Sequence, residues 1–130
     1  MRAIILTLIL TLVFGTFVNA QAQSSQQAAI RINTQKKFSK SKLTVKVLEI
    51  EDSRCPKDVE CVWAGDAKVK IKVTNKKGKS ETFELHTNLE PKTVKFDNYE
   101  IKLGEVTPYP ASNIRIDASK RTAQIIVAKM

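Results

Sequence analysis

The hexapeptide Lys-Val-Lys-Ile-Lys-Val at residues 68–73 constrains this chain more than any other stretch. Its alternation puts Lys68, Lys70 and Lys72 on one face and Val69, Ile71 and Val73 on the other, the period of a half-buried β-strand. Residues 43–47 repeat the pattern with Leu43, Val45 and Val47, after which Leu48 and Ile50 carry the apolar phase on the opposite parity. One extra residue in a strand does this, so a β-bulge is expected around Val47 and Leu48. Period two also predicts strands at 29–33, 81–87, 92–96, 99–106 and 122–129, whereas a helical period is almost absent.

The punctuation fits short antiparallel strands. Gly78 in "NKKGK" can take positive φ in a turn between the strands ending at Val73 and starting near Glu81. Asp97 and Asn98 form a two-residue hairpin connection between Phe96 and Tyr99. Pro108 and Pro110 in "TPYPASN" lack a ladder donor, which makes that segment a loop. About seven short strands in one chain of this size predict an all-β fold, an immunoglobulin-like antiparallel β-sandwich or a small barrel.

The N-terminus sets the expected compartment. Arg2 precedes an uncharged apolar run, and small residues follow at Val18, Ala20 and Ala22, the arrangement of a secretory leader cut after Ala20 or Ala22. A run of about 16 apolar residues is short for a span of about 20, and no stop-transfer cluster follows, so no stable membrane span is expected after cleavage. The expected organisation is a signal peptide at 1–22, a flexible lead-in and first strand at 23–40, and a sandwich domain at 41–130, which the strand near 28–33 joins. The location is then periplasmic or secreted. The remaining chain suffices for one modest core.

Export gives the two cysteines a meaning. Cys55 and Cys61 stand alone in the chain, so an intramolecular disulfide is the economical arrangement. A bridge of that span stabilises by about 2 to 3 kcal/mol through loop-closure entropy. It braces a loop containing Asp52, Arg54, Pro56, Lys57, Asp58, Val59 and Trp63, the candidate binding loop. Trp63 leads directly into a buried strand, so a core position beneath the loop is expected for it. A redox role would need a tighter spacing and an exposed low-pKa thiol. A metal site would have only His86 to add to the two sulfurs, so no metal or other cofactor is expected.

Charge narrows the partners. The chain carries 22 basic and 13 acidic residues, a formal net charge of +9. Lysine outnumbers arginine 17 to 5, whereas tight phosphate recognition favours the bidentate guanidinium. Export and this bias both argue against nucleic acid. Lys68, Lys70, Lys72, Lys76, Lys77 and Lys79 form a candidate cationic face for acidic polysaccharide or another envelope polymer. Otherwise the lysines act as a solubilising, edge-protecting coat.

Two stretches carry a resemblance. Asp52, Ser53, Arg54, Cys55 and Pro56, then Cys61, Trp63, Ala64 and Gly65, then Leu103, Val106, Pro108 and Pro110 resemble the signature of a family of small exported bacterial β-domain proteins with no established activity. The likeness runs from about Lys42 to Lys129 and implies an envelope or secreted β-domain. It transfers no catalytic residue.

Catalysis finds little support in the inventory. His86 is the lone histidine, no serine sits in a Gly-x-Ser-x-Gly setting, and no glycine-rich phosphate loop is present. Glu49, Glu51 and Asp52 lie at a strand end where carboxylates are ordinarily solvated. The expected function is therefore binding, with no enzymatic activity. The braced loop, from Asp52 to Gly65, and the "TPYPASN" loop would contact an unidentified protein partner; the alternatives are inhibition of an extracellular hydrolase by the braced loop and capture of acidic polymer by the lysine face.

Overall fold

The computed structural model describes residues 25–130; the expected leader at 1–22 lies outside the described residues. Eight strands form: β1 (Ser25–Arg31), β2 (Gln35–Lys37), β3 (Thr44–Asp52), β4 (Ala67–Thr74), β5 (Ser80–His86), β6 (Thr93–Phe96), β7 (Tyr99–Thr107) and β8 (Thr122–Lys129). One sheet has the order β1-β8-β7-β6 and the other β2-β3-β4-β5, with every pairing antiparallel. The fold is thus the all-β sandwich expected from period two: one sheet is a meander of β2 to β5, and the other is a meander of β6 to β8 that β1 joins through β8. Among the described residues no helix is long and apolar enough to cross a membrane.

The alternating residues fill the space between the sheets. Val45, Val47, Val69, Ile71, Val73, Leu85, Ile101, Val106 and Ile125 are completely buried, each contributing on the order of 1.5–3 kcal/mol. Phe83 of one sheet meets Phe96 of the other edge to face, with ring centroids 6.1 Å apart. The expected bulge lies between Val47 and Glu49. Without it Glu49 would follow Val45 and Val47 into the core; with it Ile50 takes the buried place and both glutamates turn to solvent.

Two strands differ most from expectation: β1, which begins earlier and ends at Arg31 rather than at 33, and β2, which was not expected. Residues 25–28, expected to be a flexible lead-in, belong to β1, because Ser25 through Ala28 pair with Ala128 through Ile125 of β8. The other difference is β2, whose three residues are all exposed and so carry no alternation; it is held by its ladder to β3.

Candidate functional site

Antiparallel meanders sort their loops by end. The strands β3, β5 and β7 all finish at one end of the sandwich, so the segments 53–66, 87–92 and 108–121 emerge there together. The turns 38–43, 75–79 and 97–98 lie at the other end. The candidate binding loop and the "TPYPASN" loop, distant in sequence, are therefore neighbours.

The first bond between them runs through Arg54. Its side chain and that of Asp52 are only 4% and 2% exposed and form a bidentate pair, Nε to Oδ1 at 2.8 Å and Nη2 to Oδ2 at 2.7 Å. Nη2 also reaches the Pro108 carbonyl at 3.4 Å, and the guanidinium lies 4.3 Å from the centroid of the Tyr109 ring. Further out, the Lys57 amide donates to the Pro110 carbonyl at 3.1 Å. Asp58 accepts from the Ser112 amide at 2.9 Å and from the Ser112 hydroxyl. These bonds from Ser112 hold the Asp58 carboxyl below its ordinary value.

Asp66 ties in the third loop. It is 5% exposed, and burial alone would raise its pKa. The His86 ring 2.6 Å away, and the Asn88 and Leu89 amides, outweigh that and leave it lowered. The Asn88 side chain donates to the Gly65 carbonyl at 2.6 Å, while the Ser53 amide and hydroxyl donate to the Asp66 carbonyl. Gly65 is required for this crossing: its φ is +76°, and a Cβ there would collide with the Ser53 carbonyl and lie 2.7 Å from the Arg54 Cα. The disulfide Cys55–Cys61, with Cα atoms 6.0 Å apart, closes the outer part of the loop.

The predicted loop residues separate into two groups. Asp52 and Arg54 are interior braces, Pro56 is half-buried, and Asp58 is bonded to Ser112, so none of these forms a free tip. The exposed apex runs through Val59, Cys61, Val62 and Trp63, with Lys57 beside it. Trp63 is 56% exposed, contrary to the core position expected. The space beneath the loop is occupied by the Asp52–Arg54 pair and by Asp66, and the positive φ of Gly65 turns the chain inward only after the indole.

Val59, Val62, Trp63, Leu89, Tyr109 and Ile114 all sit on the loops of this one end. Among the described residues, Met130 is the one further large hydrophobic residue so exposed. Tyr109 and Ser112 belong to the "TPYPASN" loop expected as a contact surface, whereas Asp66 and Asn88 were not singled out from sequence, because each acts through a partner that only the fold brings near.

The lysine face is less cationic than its sequence implies. Across the sheet Lys70 stands between Glu49 and Glu84, and Lys68 stands between Glu51 and His86. Lys68 bonds Glu51 at 3.1 Å, and that bond, with the attraction of Glu51 and Glu84, holds the ammonium above its ordinary pKa. Lys72 faces Lys46, and Lys76, Lys77 and Lys79 surround the hairpin at the far end. Positive charge is therefore concentrated away from the apolar loops.

Among the described residues no group of three or more His, Cys, Asp or Glu side chains is placed to hold a metal ion. No protein-family model, curated protein or solved structure matches this chain.

Proposed function

We propose that the protein is an exported binding module that engages a protein partner through the apolar loop end, with Val62 and Trp63 at the centre of contact. The observation that carries this is the placement of six exposed hydrophobic side chains on loops cross-linked by a disulfide, a buried ion pair and carboxylate bonds. Exposed apolar groups concentrated in one region mark interaction sites. Tryptophan and tyrosine are the residue types that dominate interface energies. Bracing lowers the entropy lost on docking, so a loop fixed in advance retains more of its contact energy. A disulfide in so short a loop also fits an oxidising compartment, as export would supply.

The test is photo-crosslinking in the producing organism, with a benzophenone amino acid placed at Val62 or, as a control, at Lys95 on the outer face of the other sheet. A discrete protein adduct from position 62 and none from 95 is expected. With that partner, Trp63→Ala should weaken binding by about 30-fold while leaving the unfolding midpoint unchanged. Equal adducts from both positions, or unaltered affinity in the variant, would sink the reading.

A further inference from the structure

The far end of the sandwich contains a cleft of about 580 Å³, open to solvent, between the turns 38–43, 75–79 and 97–98. Its volume is typical of a ligand site. Lys40, Lys42, Lys76, Lys77 and Lys79 line it together with one carboxylate, Asp97. Among the described residues none of these five ammonium groups belongs to an ion pair. Asp97 is already engaged, since the Asn75 side-chain amide donates to it at 2.5 Å.

The backbone around the cleft is fixed. Asn75 Oδ1 accepts from the amides of Lys77 and Lys79 at 3.0 and 2.9 Å, so one side chain shapes the hairpin and joins it to the 97–98 turn. Across the cleft, the Phe38 amide donates to Leu43 and the Lys42 amide to Phe38, both at 2.8 Å. Phe38 and Leu43 are buried beneath that turn, 3% and 1% exposed. Lys42 is held at φ 58°, a left-handed conformation that a lysine adopts at a cost.

We infer that this cleft binds an acidic polysaccharide of the uronic-acid type. Five like charges around one hollow repel each other, and a polyanion relieves that repulsion while the cleft focuses their field. The exclusive use of lysine supplies separated point charges rather than the planar fork that grips a single phosphoryl group. Carboxylates spaced along a sugar chain match that distribution. Ser41, Asn98 and Tyr99 add neutral donors and acceptors suited to hydroxyl groups. A smaller hollow of about 160 Å³ shares Lys40, Ser41 and Tyr99 with the first and extends toward Gln26 and Lys129, giving a track for an extended chain.

The experiment is direct binding of the purified protein to oligogalacturonate, with its methyl ester as the neutral control and polyphosphate as the alternative polyanion. Oligogalacturonate should bind at low ionic strength, weaken steeply as salt rises, and outcompete the ester. The pair Lys42→Asn and Lys77→Ser, in which asparagine tolerates the left-handed backbone, should weaken binding about tenfold with the unfolding midpoint retained. The pair Lys68→Ser and Lys70→Ser on the sheet face should change it less than about twofold. Equal binding of the ester, equal loss in both double variants, or binding of polyphosphate alone would overturn the inference.

Discussion

The two ends of this sandwich solve opposite problems with the same strands. At one end, long loops carry apolar side chains in solvent and are held by the buried Asp52–Arg54 ion pair, a disulfide and two further carboxylates, Asp58 and Asp66. At the other, short turns carry lysines and are held by backbone bonds and Asn75. Long loops lose more entropy on ordering and need cross-bracing, whereas a tight turn is shaped by two or three residues in special conformations. The difference teaches where mutation should be costly: in the braces of the loop end and hardly at all in the tips of the turns.

The largest effect tests the interior pair. Asp52→Ala leaves the Arg54 guanidinium 4% exposed with only the Pro108 carbonyl and the Tyr109 ring beside it. Losing one partner of a buried pair destabilises by about 3–5 kcal/mol, which for a domain of this size lowers the unfolding midpoint by about 15 °C or more. Calorimetry giving a drop of only a few degrees would mean that the loops are not braced through Arg54.

Two glycines offer a like-for-like comparison of the ends. Both Gly65 and Gly78 have positive φ, 76° and 86°, but only Gly65 has atoms in the path of a Cβ; around Gly78 nothing lies within 4 Å. Gly78→Ala should therefore cost only the backbone preference, about 1 kcal/mol. Gly65→Ala adds a collision with main chain that cannot rotate away, about 2–4 kcal/mol in all. Chemical denaturation resolves the two values. Equal losses would show that the crossing at Gly65 is no tighter than an open turn.

Much of this architecture was legible in the sequence because its causes are local. Alternation placed the long strands, the parity change at Leu48 announced the bulge, and Asp97-Asn98 and Gly78 specified hairpins that do adopt positive φ. The disulfide followed from two cysteines in a chain with a leader-like start. What could not be read depends on register or on burial of polar groups. The Lys68–Glu51 bond and the position of Lys70 between two glutamates require knowing that Glu49, Glu51 and Glu84 fall opposite them. Trp63 and Arg54 exchanged the places that composition rules assign, because an arginine with a bidentate carboxylate two residues away can be buried and a tryptophan above it is then displaced outward. The strand β2 has no apolar residue to betray it.

The smallest effect concerns Asp66, the brace between the cystine loop and the 87–92 loop. Its folded pKa lies below the ordinary carboxylate value of 3.8, because bonds from His86, Asn88 and Leu89 outweigh the opposing effect of burial. A lowered carboxylate binds fewer protons folded than unfolded, so its contribution is complete above the unfolded value and disappears as pH falls through the folded one. Because burial and hydrogen bonding oppose each other here, the contribution is smaller than that of the Asp52–Arg54 pair. Unfolding midpoints taken from pH 5 down to pH 2.5 should fall for the native chain and fall less steeply for Asp66→Asn, whose amide does not titrate. Asp58, bonded by Ser112, and Asp117, which accepts from the Ser119 hydroxyl and amide, are lowered as well and act in both proteins, so the difference between the two slopes isolates Asp66. Parallel slopes would remove it from the bracing of the loop end and leave Arg54 and Gly65 as the elements that distinguish that end from the lysine-lined one.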